Sequence, residues 1–296
     1  MITHCYQRTI DRFLIFYSVR DFIVFFSILS VAARRRRIRI YKLCLMPDHY
    51  HIALSAGSAK DLILFIQELT SRFARAQNIE LNRKGSLFER PFGHATKKLE
   101  KSARSTLIYI DNNPVERHLC KHAEEYRWNF LAYARSKHPF SPKMVRSKES
   151  KTLRQMLSGI DNLSASGKPV TYDFLKFYFS KLSREEKLQA VDYIISQYNV
   201  IDYEAAVRFF GTYENMLTAE HATTGSEYDL KEVFTGRSDA CYARLTRMIL
   251  RETGVADIHE ILAWPQKKKS ELYARLLGRT DATREQLFAY LRIGRL

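Results

Sequence analysis

At 296 residues the chain is long enough to bury a sizeable core, and two domains are expected. Hydrophobic residues make up 46% of the sequence and charged residues 27%, which is the composition of a globular protein. The four cysteines are scattered, show no paired metal spacing and fit a reducing cytoplasm better than a disulfide framework; they are Cys5, Cys44, Cys120 and Cys241.

The net charge of +16 favours a polyanionic partner and is concentrated in the first half of the chain. Residues 1–135 hold 23 Lys and Arg against 12 Asp and Glu, a net charge of +11, and the remainder carries only +5. We therefore expect nucleic-acid contacts to centre on residues 1–135. No signal peptide is recognised, and the apolar run 22–33 is too short to span a bilayer, so a cytoplasmic protein with no membrane contact is expected.

The first predicted elements are a strand and a buried helix. Residues 2–9 alternate loosely and are rich in β-forming residues, which predicts a strand, and the apolar stretch 22–35 predicts a helix. Four consecutive arginines follow at the end of this helix: Arg34, Arg35, Arg36 and Arg37. Cations there oppose the negative end of the helix dipole, or they form a phosphate-binding ridge, and the two interpretations are compatible.

The next predicted unit is a β-hairpin that carries two histidines. Strands over 38–45 and 49–55 flank a short turn at Pro47-Asp48. Because residues i and i+2 of a strand share a face, His49 and His51 project together, while the intervening apolar residues point into a core. The pair is either a pair of exposed imidazoles on an ordinary strand or a pair of metal ligands.

A second set of helix, strand and helix follows the hairpin. Ser58 is a candidate N-cap for an amphipathic helix whose apolar stripe includes Leu62 and Phe73. Residues 90–99 predict a fourth strand, and residues 102–112 a helix that stops at Asn113-Pro114, because a residue before proline avoids the helical region. This order predicts an α+β fold, a ferredoxin-like antiparallel sheet with helices on one face and the other face open for a ligand.

The character of the chain changes beyond about residue 135. Residues 136–168 are interpreted as a basic linker, and residues 169–296 as an all-helical C-terminal region. Its last part, 269–277 followed by 283–291, is spaced like a helix-turn-helix. This region would add a DNA contact or an oligomer interface, or serve as a structural helical bundle.

The predicted helix 102–112 places a tyrosine and an amide together. Tyr109 and Asn113 are i and i+4 and share one face with Ser105. The tyrosine is either a half-buried anchor, the usual fate of this residue, or a reactive group on a polar face.

Four motifs in register resemble one family. They are Leu45-Met-Pro-Asp-His-Tyr-His-Ile-Ala-Leu54, Gly85-Ser-Leu-Phe-Glu-Arg-Pro-Phe92, Tyr109-Ile-Asp-Asn-Asn-Pro-Val115 and Tyr126-Arg-Trp-Asn129. Together they resemble the IS200/IS605-like single-tyrosine transposases of the HUH type, and most closely the REP-associated branch. The resemblance covers residues 1–135 and implies an HUH nuclease catalytic domain there.

The resemblance also implies the roles of individual residues. His49 and His51 would be ligands of a divalent metal ion, Mg²⁺ or Mn²⁺, Asn113 would help complete the metal shell, and Tyr109 would be the nucleophile. Asp48 departs from the asparagine common in the family, and its carboxylate would lie near the metal or cap the turn. His94 lies in the fourth strand, from which it could approach the site, although a role for it is the less favoured alternative.

The implied activity is DNA transposition by cleavage and rejoining of single-stranded DNA at hairpin-flanked sites through a 5′-phosphotyrosine. Such a mechanism needs no nucleotide cofactor, and the chain would act as a monomer or homodimer. Candidate phosphate contacts are Arg8, Arg34, Arg35, Arg36, Arg37, Arg90, Lys97 and Lys98.

Two alternatives stay open at this stage. A replication-initiator or relaxase-type nickase uses the same chemistry, although the sequence has no helicase segment and no Walker loop. A domesticated protein of this fold would bind repeat DNA without cutting it, although the presence of His49, His51 and Tyr109 argues against this.

Overall fold

The computed structural model describes residues 1–222 and 238–293. The first part of the chain forms the strands and helices of an α+β unit. Its elements are β1 (Ile2–Arg8), α1 (Val19–Arg36), β2 (Arg39–Met46), β3 (His49–Ser55), α2 (Ala59–Glu80), β4 (Gly93–Lys97) and α3 (Glu100–Glu116). The predicted helix after Ser58 begins as expected, since the Asp61 N–H donates to Ser58 Oγ at 3.1 Å.

The four strands form one antiparallel sheet in the order β2-β3-β1-β4. The predicted hairpin is present: β2 pairs with β3, and Met46 faces His49 across the turn. In the β1–β3 ladder, Tyr6 lies opposite His51 and Arg8 opposite His49. The predicted α+β fold class, with its four-stranded antiparallel sheet, is confirmed.

The two faces of the sheet are covered by different helices. Helices α1 and α2 pack on the face that presents Cys5, Tyr50 and Ile52. The other face, which the sequence left open for a ligand, is covered by α3, whose Leu107 and Ile110 pack into a small apolar cluster there. Helix α3 has its own apolar stripe, and burying it removes that surface from water. Among the described residues, no helix combines the length and apolar character needed to cross a membrane.

Helix α3 is longer than predicted. The prediction that it stops at Asn113-Pro114 is wrong, because Pro114 lies inside the last turn and the helix ends at Glu116. A proline there forfeits one backbone hydrogen bond, and later N–H groups close the helix end. The Arg117 N–H donates to the carbonyl of Asn113 at 3.2 Å, and that of Leu119 to the carbonyl of Pro114 at 2.9 Å.

The predicted helical character of the C-terminal region is confirmed. The helices described after α3 are α4 (Lys151–Ala165), which precedes this region, and within it α5 (Tyr172–Phe179), α6 (Arg184–Tyr198), α7 (Tyr203–Val207), α8 (Tyr213–Ala222), α9 (Cys241–Thr253), α10 (Ile258–Leu262), α11 (Gln266–Leu276) and α12 (Arg284–Leu291). The helices predicted for the helix-turn-helix are α11 and α12. Most residues of α12 after Glu285 are buried. A DNA contact of this helix pair stays a prediction.

The linker interpretation of residues 136–168 is wrong for residues 151–165, which form α4. Leu153, Met156, Leu157 and Ile160 of this helix are fully buried in the same core as α1 and α2. Their three- and four-residue spacing makes one apolar stripe, which the surrounding serines and lysines obscure in the sequence. Helices α4 to α6 therefore extend the core of the sheet unit rather than forming a separate one.

Helices α9 to α12 form a second core that also includes Leu14 and Leu81 of the sheet unit. A buried histidine of α10 ties the two parts together. His259 Nε2 lies 3.0 Å from an oxygen of Asp21 on α1, and its Nδ1 lies 3.1 Å from an oxygen of Glu80 on α2. Burial disfavours the charged imidazole, but Asp21 and Glu80 outweigh it and raise the pKa of His259 to about 9.

Candidate active site

His49 opens β3 and is held by the residue before it. Its Nδ1 lies 2.6 Å from Asp48 Oδ1. Burial opposes ionisation of Asp48, but His49, with Arg117 and Arg8 nearby, lowers the pKa of this carboxyl to about 2. The ionised carboxylate can accept a hydrogen bond from Nδ1–H of His49, and Nε2 then lies on the side of the ring away from Asp48. Nε2 is buried and has no hydrogen-bond partner among residues 1–222 and 238–293.

His51 is oriented by a third histidine that the sequence analysis missed. His51 Nδ1 lies 2.9 Å from Nε2 of His4 on β1, and both side chains are buried. The rings of His49 and His51 lie perpendicular with centroids 4.9 Å apart, so the strand alternation does place them on one face. The alternation of β1 was the signal for His4, since residues 2, 4, 6 and 8 share the face of the pair.

The predicted nucleophile lies beside these histidines in the same chain. The ring centroid of Tyr109 is 5.5 Å from that of His51 and 5.9 Å from that of His4. Tyr109 is 4% exposed, and Asn113, one helical turn later, is also buried. The fold therefore brings Tyr109 beside His51, next to His49, and covers the histidines with α3. The interpretation of the histidine pair as exposed is wrong.

Buried ion pairs fix the position of α3. Lys42 on β2 contacts Asp111, two residues after Tyr109, and lies 3.4 Å from Glu220 Oε1 on α8. The Asn112 amide donates to the carbonyl of Glu220 at 2.8 Å. Burial lowers the pKa of Lys42, but the two carboxylates outweigh it, so the net direction is upward. The tyrosine-bearing helix is thus tied both to the sheet and to the C-terminal region.

Only two of the predicted DNA contacts lie at the histidine end of the sheet. Arg8 is opposite His49 and points to the same face. Arg90 follows Glu89, whose N–H donates to the carbonyl of Arg8 at 2.9 Å.

The other predicted contacts lie at the far end of the sheet. Arg39 pairs with Ser55 whereas Met46 pairs with His49, so the start of β2 is about 23 Å from its end. The arginine run lies just before Arg39. Lys97 pairs with Ile2 at the same far end, and Lys98 follows it.

The arginine run makes contacts within the protein. Arg34 donates to the carbonyl of Gln197 at 3.0 Å, Arg35 pairs with Glu68, and Arg36 Nε lies 2.9 Å from the same carboxylate. Arg37 ends α1 with φ of 53°. These contacts support a structural role at the helix end, and phosphate binding by the run stays a prediction.

A basic groove that the sequence analysis missed opens between α2 and the segment 82–90. Its volume is about 760 Å³, and its cationic lining residues are Arg75, Arg83, Lys84 and Arg90. Gln7, also in the lining, pairs with Tyr50, so the groove lies at the histidine end of the sheet. His94 pairs with Cys5 and therefore points to the α1–α2 face, away from the histidine pair.

A family model supports the resemblance seen in the motifs. Residues 1–113 match the family model described as transposase IS200 like, which confirms the predicted family resemblance for this part of the chain. A solved structure of a REP-associated tyrosine transposase bound to a REP hairpin is also similar, with 18% identity and a TM-score of 0.39 over 45% of this chain and 79% of that one. No curated protein matches the chain.

Proposed function

We propose that this protein is a metal-dependent transposase that cleaves and rejoins single-stranded DNA, with Tyr109 as the nucleophile. The observation that carries the proposal is the contact of the Tyr109 ring with His51 on the face where His49 and His51 project together. The match of residues 1–113 to the IS200-like family model supports it.

The residues around His49 fit a divalent metal ion. With Asp48 accepting a hydrogen bond from Nδ1–H, His49 would present Nε2 to the ion, and this atom is buried without a hydrogen bond among the described residues. His49 and His51 would hold Mg²⁺ or Mn²⁺, with an oxygen of Asn113 as a further ligand. When bound, such an ion neutralises charge on the scissile phosphate and aligns it.

The chemistry of Tyr109 is a transesterification. Its phenolic oxygen forms a bond to phosphorus as the bond to the 3′-oxygen breaks; the phenol loses its proton and the 3′-oxygen gains one. The products are a 5′-phosphotyrosine and a free 3′-hydroxyl. Because the phosphoester bond is kept, a second 3′-hydroxyl can reverse the step and join strands without a nucleotide cofactor.

We place the DNA along the cationic surface at the histidine end. Arg8 lies on the same face as His49, and Arg90 joins this end to the basic groove. Phosphate contacts of this kind give a salt-dependent affinity. The substrate that the family resemblance implies is a single strand flanked by a hairpin, and the arginine run with Lys97 and Lys98 would bind more distant phosphates.

A covalent-adduct assay tests the proposal. The full chain is incubated with labelled single-stranded hairpin DNA and Mg²⁺ or Mn²⁺, and a denaturation-resistant protein–DNA adduct is expected. Tyr109→Phe should abolish the adduct and His49→Ala should strongly reduce it. Tyr6 provides the matched control, because its ring also lies on this face, with its centroid 6.1 Å from that of His51.

The outcomes separate the competing functions. If the adduct is lost in Tyr6→Phe but retained in Tyr109→Phe, Tyr6 rather than Tyr109 is the nucleophile, and the proposal is wrong on this point. Binding without an adduct would favour a non-catalytic repeat-DNA-binding protein. Cleavage that is never followed by joining to a second strand would favour a nickase.

A further inference from the structure

Two histidines and a glutamate meet outside the candidate active site. His122 and Glu124 lie in the segment after α3, and His221 lies near the end of α8. Their potential ligand atoms all lie within 4.8 Å of one another. His221 Nε2 is 3.1 Å from Glu124 Oε1, and the rings of His122 and His221 have centroids 4.6 Å apart.

These distances fit ligands of one metal ion. Zn²⁺ binds imidazole nitrogen and carboxylate oxygen at about 2.0–2.2 Å, so two ligands of a tetrahedral ion lie about 3.3 Å apart. The 3.1 Å separation of His221 and Glu124 is close to that value. His122 is exposed, so its ring can rotate to bring its nitrogen within reach.

The second cluster of possible ligands in the described part of the chain is different. Glu80, Asp257 and His259 also lie close together. Both ring nitrogens of His259, however, are already engaged by carboxylates, its Nδ1 by Glu80 and its Nε2 by Asp21. The imidazole there serves as a charged partner in an ion-pair network and has no lone pair for a metal.

We propose that His122, Glu124 and His221 form a second metal site, which takes a transition-metal ion such as Zn²⁺. Two imidazoles and one carboxylate suit Zn²⁺ and its neighbours better than Mg²⁺. The partly exposed side chains of Glu124 and His221 let an ion enter from solution. A bound ion would connect α8 to the segment after α3. Because His221 follows Glu220, which contacts Lys42, this connection would lie beside the existing ion pairs. This inference does not depend on the proposed function.

Metal binding to the full, tag-free chain tests the site. Wild type, His122→Ala and His221→Ala are titrated with Zn²⁺ by calorimetry and with Co²⁺ by visible absorption. His118→Asn is the control, because His118 is an exposed histidine in the same segment outside the cluster, and asparagine tolerates its φ of 55°. Because His49 and His51 are present in every variant, differences between variants report on the second site alone.

We expect wild type and His118→Asn to bind one equivalent of Zn²⁺ that both alanine variants bind at least about tenfold more weakly. Saturating Zn²⁺ should raise the Tm of wild type on the order of 5 °C more than that of either variant. Equal Zn²⁺ stoichiometry, affinity and Co²⁺ spectra in wild type and both variants would overturn the proposal. So would a loss of binding in His118→Asn as large as in His221→Ala.

Discussion

The imidazole of His259 makes the stability of this protein depend on pH. It is 4% exposed and lies between Asp21 and Glu80, which raise its pKa from the ordinary 6.5 to about 9 against the effect of burial. Below about pH 6.5 the imidazole is charged in both the folded and the unfolded chain, so the full stabilisation is present. As pH rises through about 9 the folded protein also loses this proton, and the stabilisation disappears.

The size of the effect follows from the two sides of the ion pair. Raising the pKa of His259 from 6.5 to about 9 corresponds to about 3 kcal/mol. Burial opposes ionisation of Asp21, but His259 and neighbouring donors lower its pKa from 3.8 to about 2, which corresponds to about 2.5 kcal/mol. Both values describe largely the same interaction and are not added. We therefore expect the free energy of unfolding to fall by about 2–3 kcal/mol across this range.

The assay compares Tm of wild type and His259→Gln at about pH 6 and about pH 9.5. The Tm of wild type should exceed that of His259→Gln by roughly 5–10 °C at the lower pH, and this difference should disappear at the higher pH. Lys269, whose pKa burial lowers to about 8, also titrates in this range, but it does so in both proteins and cancels in the difference. His94→Gln is the control, because the His94 ring lies beside Phe92 on the α1–α2 face, away from His259. Its Tm should equal that of wild type at both pH values. A gap of the same size at both pH values would refute the reasoning.

Two further predictions concern the surroundings of the candidate site. Asp48→Ala should weaken Mn²⁺ binding about 10- to 100-fold, because His49 loses the carboxylate that orients its ring. Unchanged affinity in a Mn²⁺ titration would show that the carboxylate has no such role. Lys42→Met should lower the free energy of unfolding by about 3–5 kcal/mol in urea titrations, because Asp111 and Glu220 stay buried without their cation. A loss under about 1 kcal/mol would contradict this expectation. The double variant Lys42→Met/Asp111→Leu should recover part of the lost stability.

The sequence predicted the hairpin and its histidines because the controlling interactions are local. Strand alternation alone puts His49 and His51 on one face, and the register of the β2–β3 pair follows from the short turn between them. The later motifs placed Tyr109 and Asn113 on one helix. Which helix covers which face is not local, and the burial of the histidines under α3 therefore escaped prediction.

Other features depend on partners distant in sequence. His4 contacts a residue 47 positions away, and strand alternation gives the face on which His4 lies but not the pairing of β1 with β3 that brings it to His51. The four apolar residues of α4 are few among polar neighbours, and their stripe gains meaning only from the core they enter. Pro114 is tolerated because the helix ends within a turn, which local rules for proline do not reveal.

The burial of Tyr109 between its own helix and the sheet would limit the proposed activity. Under the proposed function, a Tyr109 side chain that is 4% exposed would reach a phosphodiester only after α3 moves, so DNA would select a conformation in which this helix has moved. If about one molecule in a hundred is open, the apparent affinity for reactive DNA is about a hundredfold weaker than the intrinsic one. The closed population would therefore lower the rate of the proposed reaction, to an extent set by the contacts of α3 rather than by a separate inhibitor.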